Sequence, residues 1–329
     1  MAAHVYRCDP ERLLAGANFG NRDLFLNLTP RSDVAGLWCA DDDQIYCGRW
    51  VTQIWSGGER AASLETYHAP AFQATVLRCG GLTARKLAFV PMRAEHARIV
   101  HVIVVLENDA EEELEAGITC DVHYPAFVWP GVYKVPTLAA RAKRFEHREN
   151  GPLIVSATLG RSSEVRVFGA SVEPSTTQLT DRGFTRTYSL AVPPRARSVC
   201  AFSLAVSNRG EHDAVSTYLN AAPAEDALAQ TERFYDAVQQ CGFVRTPSGV
   251  INRAFDWAKI NTVRVQHRYP AGDAFTNDPS QDIVVMRDVA WFALGSDYLT
   301  PDFTRSMLEL VAEHGVEPGG KITEFINAS

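Results

Sequence analysis

The chain has 329 residues, 46% hydrophobic and 22% charged, with a net charge of -7 and a pI near 5.7. That length can bury large cores and is long for one domain, so two units are the natural expectation. The acidic balance excludes a nucleic-acid groove and an anionic membrane surface as partners, because either calls for a basic stripe.

The start, MAAHVYRCDPERLLAG, has no apolar signal core, and no apolar run reaches bilayer-spanning length. A soluble, cytoplasmic protein is expected. Seven cysteines, odd in number and without a C-x-x-C pair, read as reduced thiols. Asp41, Asp42 and Asp43 form a charge run that reads as a solvated turn; it lacks the spaced glycine and closing glutamate of a calcium loop.

From about Phe72 to Val206 the apolar pattern is that of strands: FQATVL, TARKLAFV, ARIVHVIVVLEN, ELEAGITCDV, LIVSATL, EVRVFGA, FTRTYSLAV and RSVCAFSLAV. Phe184, Tyr188, Leu190 and Val192 take one face of a strand, Thr185, Thr187 and Ser189 the other. Turn chemistry at Asn108-Asp109 and Glu149 to Pro152 separates the runs. The first unit, residues 1–215, is therefore expected to be an antiparallel β-sandwich.

The remainder reads as helices. AEDALAQTERFYDAVQQ carries Leu228, Thr231, Tyr235 and Val238 at helical spacing before Gly242, and serves as a linking helix within residues 216–243. A longer helix runs from about Ser248 to Arg268 with Ile251, Phe255, Ala258, Thr262 and Val265 as its apolar stripe. Another extends from near Met286 to about Leu299, and a further one from Thr300 as cap, with Pro301 first, to Gly315. Residues 244–329 thus begin a stacked helical-hairpin domain with too few helices to close it.

One stretch, NDPSQDIVVMRDVAWFALGSDYL, sets Arg287 and Asp288 directly after an apolar run, with Trp291 one helical turn on. Burying either charge alone is costly, so the pair must satisfy each other, meet water, or await a polar ligand. Read from the residues alone, a mutual ion pair near a helix start, with Trp291 in the core, is the more ordinary outcome. GVEPGGKI from Gly315 nearly fits a phosphate-cradling loop, but Ile322 replaces the hydroxyl and a helix precedes it. No G-x-S-x-G elbow occurs, and the nine histidines show no metal-ligand spacing, so neither metal nor other cofactor is expected. His267 and His314 read as partners for helix C-termini.

The layout, with FTNDPSQDIVVMRDVAWFALGSDYL and GVEPGGKITEFI as its specific part and VWPG (128–131) and LAFVPM (87–92) as softer matches, resembles glycogen-debranching, amylo-alpha-1,6-glucosidase-like and glucoamylase-like glycoside hydrolases. The resemblance implies an (α/α)6 toroid after the sandwich, here truncated, and cleavage of α-glucosidic bonds in oligo- or polysaccharides, generally with inversion. It implies carbohydrate-binding roles for Arg287, Asp288 and Trp291, with Asp278 and Glu324 as further pocket candidates. Asn277 and Asp282 read as structural neighbours of that loop. The catalytic acid and base are expected on later toroid loops, downstream of residue 329, so no catalytic pair is named and this chain alone is expected to be silent. Two alternatives stay open. One is a sugar phosphorylase of similar architecture. The other is a non-catalytic carbohydrate-binding protein using Trp38, Trp50, Trp55 and Trp129 as sugar platforms.

Overall fold

The computed structural model describes residues 5–92, 98–125, 143–159, 162–275 and 283–327. All eight apolar runs are strands, but the strands begin earlier, at Tyr6–Cys8. Two large antiparallel sheets result. One orders Tyr6–Cys8, Ala62–His68, Gln73–Cys79, Leu82–Phe89, Ile99–Asn108, Arg197–Ser207, Ser162–Ala170, Leu153–Leu159 and Arg144–Glu149. The other orders Thr176–Thr180, Gly183–Val192, Leu114–His123, Arg49–Ser56, Val34–Cys39, Leu24–Leu28 and Asn18–Gly20, with Gln44–Cys47 and Glu59–Arg60 at its side.

Period-two alternation turns one face of each sheet inward, so Leu26, Trp50, Val104, Phe168, Tyr188 and Phe202 meet in a shared core. Each such side chain, moved from water to that core, stabilises by roughly 1.5–3 kcal/mol. The inward row of Gly183–Val192 also contains Arg186, which the hydrophobic pattern passes over; it is buried and pairs with Glu149 at 2.9 Å.

Strand Leu24–Leu28 is buried on both faces. Leu24, Leu26 and Leu28 point into the sandwich, while Phe25, with Trp38 from the next strand, forms a second core on the outer face. That outer core takes up Tyr269, Phe275, Val284, Val289, Phe303 and Met307, which anchors the C-terminal part of the chain to the sandwich.

Among the described residues five α-helices follow the two large sheets: α1 (Glu211–Asn220), α2 (Ala224–Gln240), α3 (Gly249–Arg264), α4 (Met286–Ser296) and α5 (Pro301–His314). The last four fall where helices were expected, but α3 stops at Arg264, and Gln266–Tyr269, expected to begin within its last turn, is a strand. The first was not foreseen and spans residue 215, where Ala214 and Tyr218 cover Val165 and Val167 of the sandwich. In α2, Thr231, Tyr235 and Val238 are buried as their spacing predicts. In α3 the expected stripe fails: Ile251 is 54% exposed and Phe255 36%, while Lys259, Ile260, Val263 and Arg264 are buried.

The reason is polar. Lys259 donates to the Gly242 carbonyl at 2.9 Å, and Arg264 donates to the carbonyls of Ala69 and Pro70. These long cations bury their stems while their charged ends meet backbone carbonyls. Arg264 further lies 4.5 Å from the Phe19 ring centroid, where the ring face attracts a cation. No described helix is long and apolar enough to cross a membrane.

Candidate functional site

Strand Ile283–Val285 pairs antiparallel with Phe325–Asn327, and the ladder is extended by the Met286 amide donating to the Glu324 carbonyl at 2.9 Å. Val285, extended at φ -86° and ψ 117°, is the residue from which α4 departs. This short ladder brings the Glu324 bend, far along the chain, to the start of α4. There Asp288 is the third helical residue, where the exposed amides and helix dipole favour a carboxylate.

Arg287 donates Nε to Asp288 Oδ1 at 3.2 Å; its side chain is 75% exposed and that of Asp288 24%. Trp291 is 70% exposed, which rules out the reading that it fills the core. Leu294 and Tyr298 continue the same outward row, while Val289, Phe292 and Ala293 face the second core. The outward face of α4 therefore carries a guanidinium–carboxylate pair at one end and large apolar groups below it. Glu324 is exposed beside them, and its backbone carbonyl accepts the Met286 amide. Asp278, with Asn277 and Asp282, lies outside the described residues.

The loop that mimics a phosphate cradle is a tight turn. Gly319 and Gly320 have φ of 103° and 81°, and the Glu317 and Gly320 amides are bonded within the loop, to Lys321 and Glu317 carbonyls. Such amides do not point at an anion.

Several other expectations are corrected. Trp38 and Trp50 are 1% and 0% exposed, so neither can serve as a sugar platform; Trp129 lies outside the described residues. Asp41, Asp42 and Asp43 do not form a solvated turn. Asp43 is buried and accepts from Trp38 Nε1 at 2.8 Å, Asp42 accepts from the Tyr46 hydroxyl at 2.8 Å, and Asp41 pairs with Arg98 at 2.6 Å. Burial, aided by the nearby charge of Glu164, pushes Asp42 up to about 6. Burial also acts upward on Asp41, but Arg98 and Arg209 outweigh it and hold that carboxyl below its ordinary value.

His267 is not at a helix end either. It sits in strand Gln266–Tyr269, fully buried, edge-on to Trp38 at 5.2 Å and to Phe25 at 5.8 Å. Burial pushes its imidazole down to about 3, an effect only partly offset by the Asn21 backbone. His314, by contrast, is the last residue of α5, as expected.

Sequence reasoning missed a cavity of about 400 Å³ where the sandwich meets α2, α3 and the end of α4. Asn21, Asp23, Phe234, Gln266 and Thr300 are among its lining residues. The signal was present: Arg22-Asp23 precedes the apolar run LFLNL, as Arg287-Asp288 follows IVVM. Among the described residues no cluster of His, Cys, Asp and Glu could hold a metal ion.

No family model and no curated protein matches the chain. Solved structures do resemble it. A protein from the human microbiome assigned as a kojibiose phosphorylase aligns with a TM-score of 0.69 at 7% identity, over 94% of this chain and 48% of its own. A bacterial glucoamylase complexed with acarbose aligns with a TM-score of 0.55 at 11% identity, over 95% of this chain and 52% of its own. The chain thus spans about half the length of each. At such identities the likeness shows the fold, a sandwich followed by helices that is shared with carbohydrate-active enzymes.

Proposed function

We propose that the start of α4 is a carbohydrate-binding site and that the protein acts on glycosidic bonds, as a hydrolase of α-glucosidic linkages in oligo- or polysaccharides of the debranching type, with inversion. The observation that carries this reading is the exposed Trp291 one turn from the Arg287–Asp288 pair. Sugar hydroxyls both donate and accept, so adjacent ones can donate to the Asp288 carboxylate and accept from the Arg287 guanidinium in charge-assisted bonds. The indole face offers an apolar surface to the C–H face of the same ring.

Binding and bond cleavage are separate tasks. Cleavage takes two carboxyl groups flanking the bond, roughly 6.5–9.5 Å apart in an inverting enzyme. We assign Asp288, Arg287 and Trp291 to holding substrate, with Glu324 and Asp278 as further contacts, and assign the proton transfers to other groups. A pure binding module built on sandwich tryptophans is disfavoured by the burial of Trp38 and Trp50.

Phosphorolysis is the second reading, favoured by the higher structural likeness to the phosphorylase and by the exposure of Arg287, a good phosphate partner. Maltose and isomaltose binding, followed through tryptophan fluorescence, tests the site. Asp288→Asn should weaken binding by about tenfold or more, the worth of one charge-assisted hydrogen bond, with thermal stability nearly unchanged. Wild-type affinity in that variant would remove Asp288 from the site. Turnover measured with and without inorganic phosphate then separates the two reactions, since only the phosphorylase consumes it.

A further inference from the structure

The 400 Å³ cavity contains an acid whose carboxylate makes no hydrogen bond among the described residues. Asp23 is only 6% exposed. Its amide donates to Asn21 Oδ1 at 3.0 Å and its carbonyl accepts from the Ala40 amide at 2.9 Å. The backbone is thereby satisfied, yet the carboxylate has no hydrogen-bond partner among the described residues. Burial raises its pKa; the charges of Arg268 and Arg98 act in the other direction.

The neighbouring cations are engaged elsewhere. Arg98 and Arg209 bond to Asp41, Arg22 bonds to Asp273, and Arg268, which also lines the cavity, lies 4.0 Å from Asp273. The residue is nearly buried, yet its carboxylate oxygens are not sealed in and remain open to the cavity, where the donors of a ligand can meet them. The volume falls in the roughly 300–1,000 Å³ range of small-molecule sites.

The chemistry of that ligand follows by elimination. An anion is repelled by the carboxylate. A cation meets the field of Arg98, Arg209 and Arg268, which already surround Asp23. What remains is a neutral molecule rich in O–H donors. The walls supplied by Phe234, Val238, Val263 and Leu299 further ask for an apolar face, and Gln266 and Thr300 add polar groups at another side.

We propose that this cavity is a second ligand site that takes a neutral polyol of the size of a monosaccharide, two of whose hydroxyls donate to Asp23. It is distinct from the site at the start of α4. Thr300 and Leu299 lie beyond the far end of that helix, whose 11 residues span about 16 Å at the usual rise.

Cys241 gives the readout, because its thiol is exposed and lines the same cavity, whereas Cys8 lies elsewhere and serves as control. The rate of Cys241 alkylation by iodoacetamide, followed by peptide mass, is measured on the full chain with D-glucose and with methylammonium. Glucose should slow modification of Cys241 but not of Cys8, and methylammonium should do neither. Asp23→Asn should lower the apparent glucose affinity by about tenfold or more, while Asp288→Asn leaves the protection intact. Equal Cys241 rates with and without glucose in the wild-type protein overturn the proposal without any variant. Protection by methylammonium alone overturns the ligand class. Protection lost in Asp288→Asn but kept in Asp23→Asn assigns the effect to the start of α4, and failure of the α4 site leaves the Cys241 result standing.

Discussion

His267 makes the junction between sandwich and helices sensitive to acid. Its imidazole, wedged between Trp38, Phe25 and Tyr269, stays neutral in the fold down to about pH 3, whereas in the unfolded chain it takes up a proton near 6.5. The folded pKa is depressed, so between those values the unfolded state binds more protons. Stability is complete above pH 6.5 and is lost as pH falls. At about 1.4 kcal/mol per pH unit, the gap from 6.5 to about 3 comes to about 5 kcal/mol by the bottom of the window, a large fraction of a typical domain's stability. Asp42 opposes it. Its pKa is raised from 3.8 to about 6, so its contribution is present below 3.8 and lost as pH rises through 6. The two slopes cancel in part between those values, and the wild-type profile alone is uninformative. The variant His267→Phe, which keeps the aromatic edge contacts, isolates one of them. In urea unfolding its stability relative to wild type should improve by about 3 kcal/mol on going from about pH 7.5 to about pH 4.5. Parallel curves for the two proteins over that range would refute the buried, neutral imidazole.

Asp42→Asn should show the mirror image: a gain over wild type of up to about 3 kcal/mol above pH 6 that vanishes below 3.8, seen in the same titration. A gain that does not depend on pH would mean that packing, not ionisation, is responsible. Gly20 abuts α3 so closely that an added Cβ would lie 2.0 Å from the Arg264 carbonyl oxygen. Gly20→Ala should therefore cost about 1–3 kcal/mol in thermal or urea unfolding, and an unchanged midpoint would show that α3 is not seated there. We further propose residues 1–215, 216–243 and 244–329 as sandwich, linking helix and helical domain. A fragment of residues 1–215 should then unfold cooperatively by circular dichroism, and extension to 221 should raise its midpoint because it restores Tyr218 over Gly169.

The strands were legible where alternation met turn residues, and Leu153–Leu159 has the bounds of the apolar run itself. The first seventy residues gave no comparable signal, because strand Leu24–Leu28 is buried on both faces and short strands such as Asn18–Gly20 carry little pattern. Helix positions were legible from caps and breakers: Ser248 accepts from the Ile251 amide, and Pro301 opens α5. Helix faces were not, since Lys259 and Arg264 occupy buried positions that a hydrophobic pattern assigns to apolar residues. The aspartate run from Asp41 failed for the same reason: a carboxylate can enter the interior when Trp38, Tyr46 and Arg98 supply donors there.

The two Arg-Asp pairs share a sequence signature and differ in what surrounds them. At α4, both charges stay near water, bond each other, and leave an aromatic face open beside them. An open, paired arrangement of this kind costs little to maintain and can exchange its partner for substrate hydroxyls. At Arg22-Asp23 the pair is split: the arginine leaves for Asp273, and the carboxylate turns inside without a hydrogen-bond donor among the described residues, within the field of Arg268 and Arg98. That arrangement is expensive unless something fills the cavity. The sequence marks both places, because a charge against a buried strand or helix start always needs a reason. Only the packing of α2, α3 and the end of α4 around Asp23 decides that the second reason is a cavity, and that depends on contacts between residues more than two hundred positions apart.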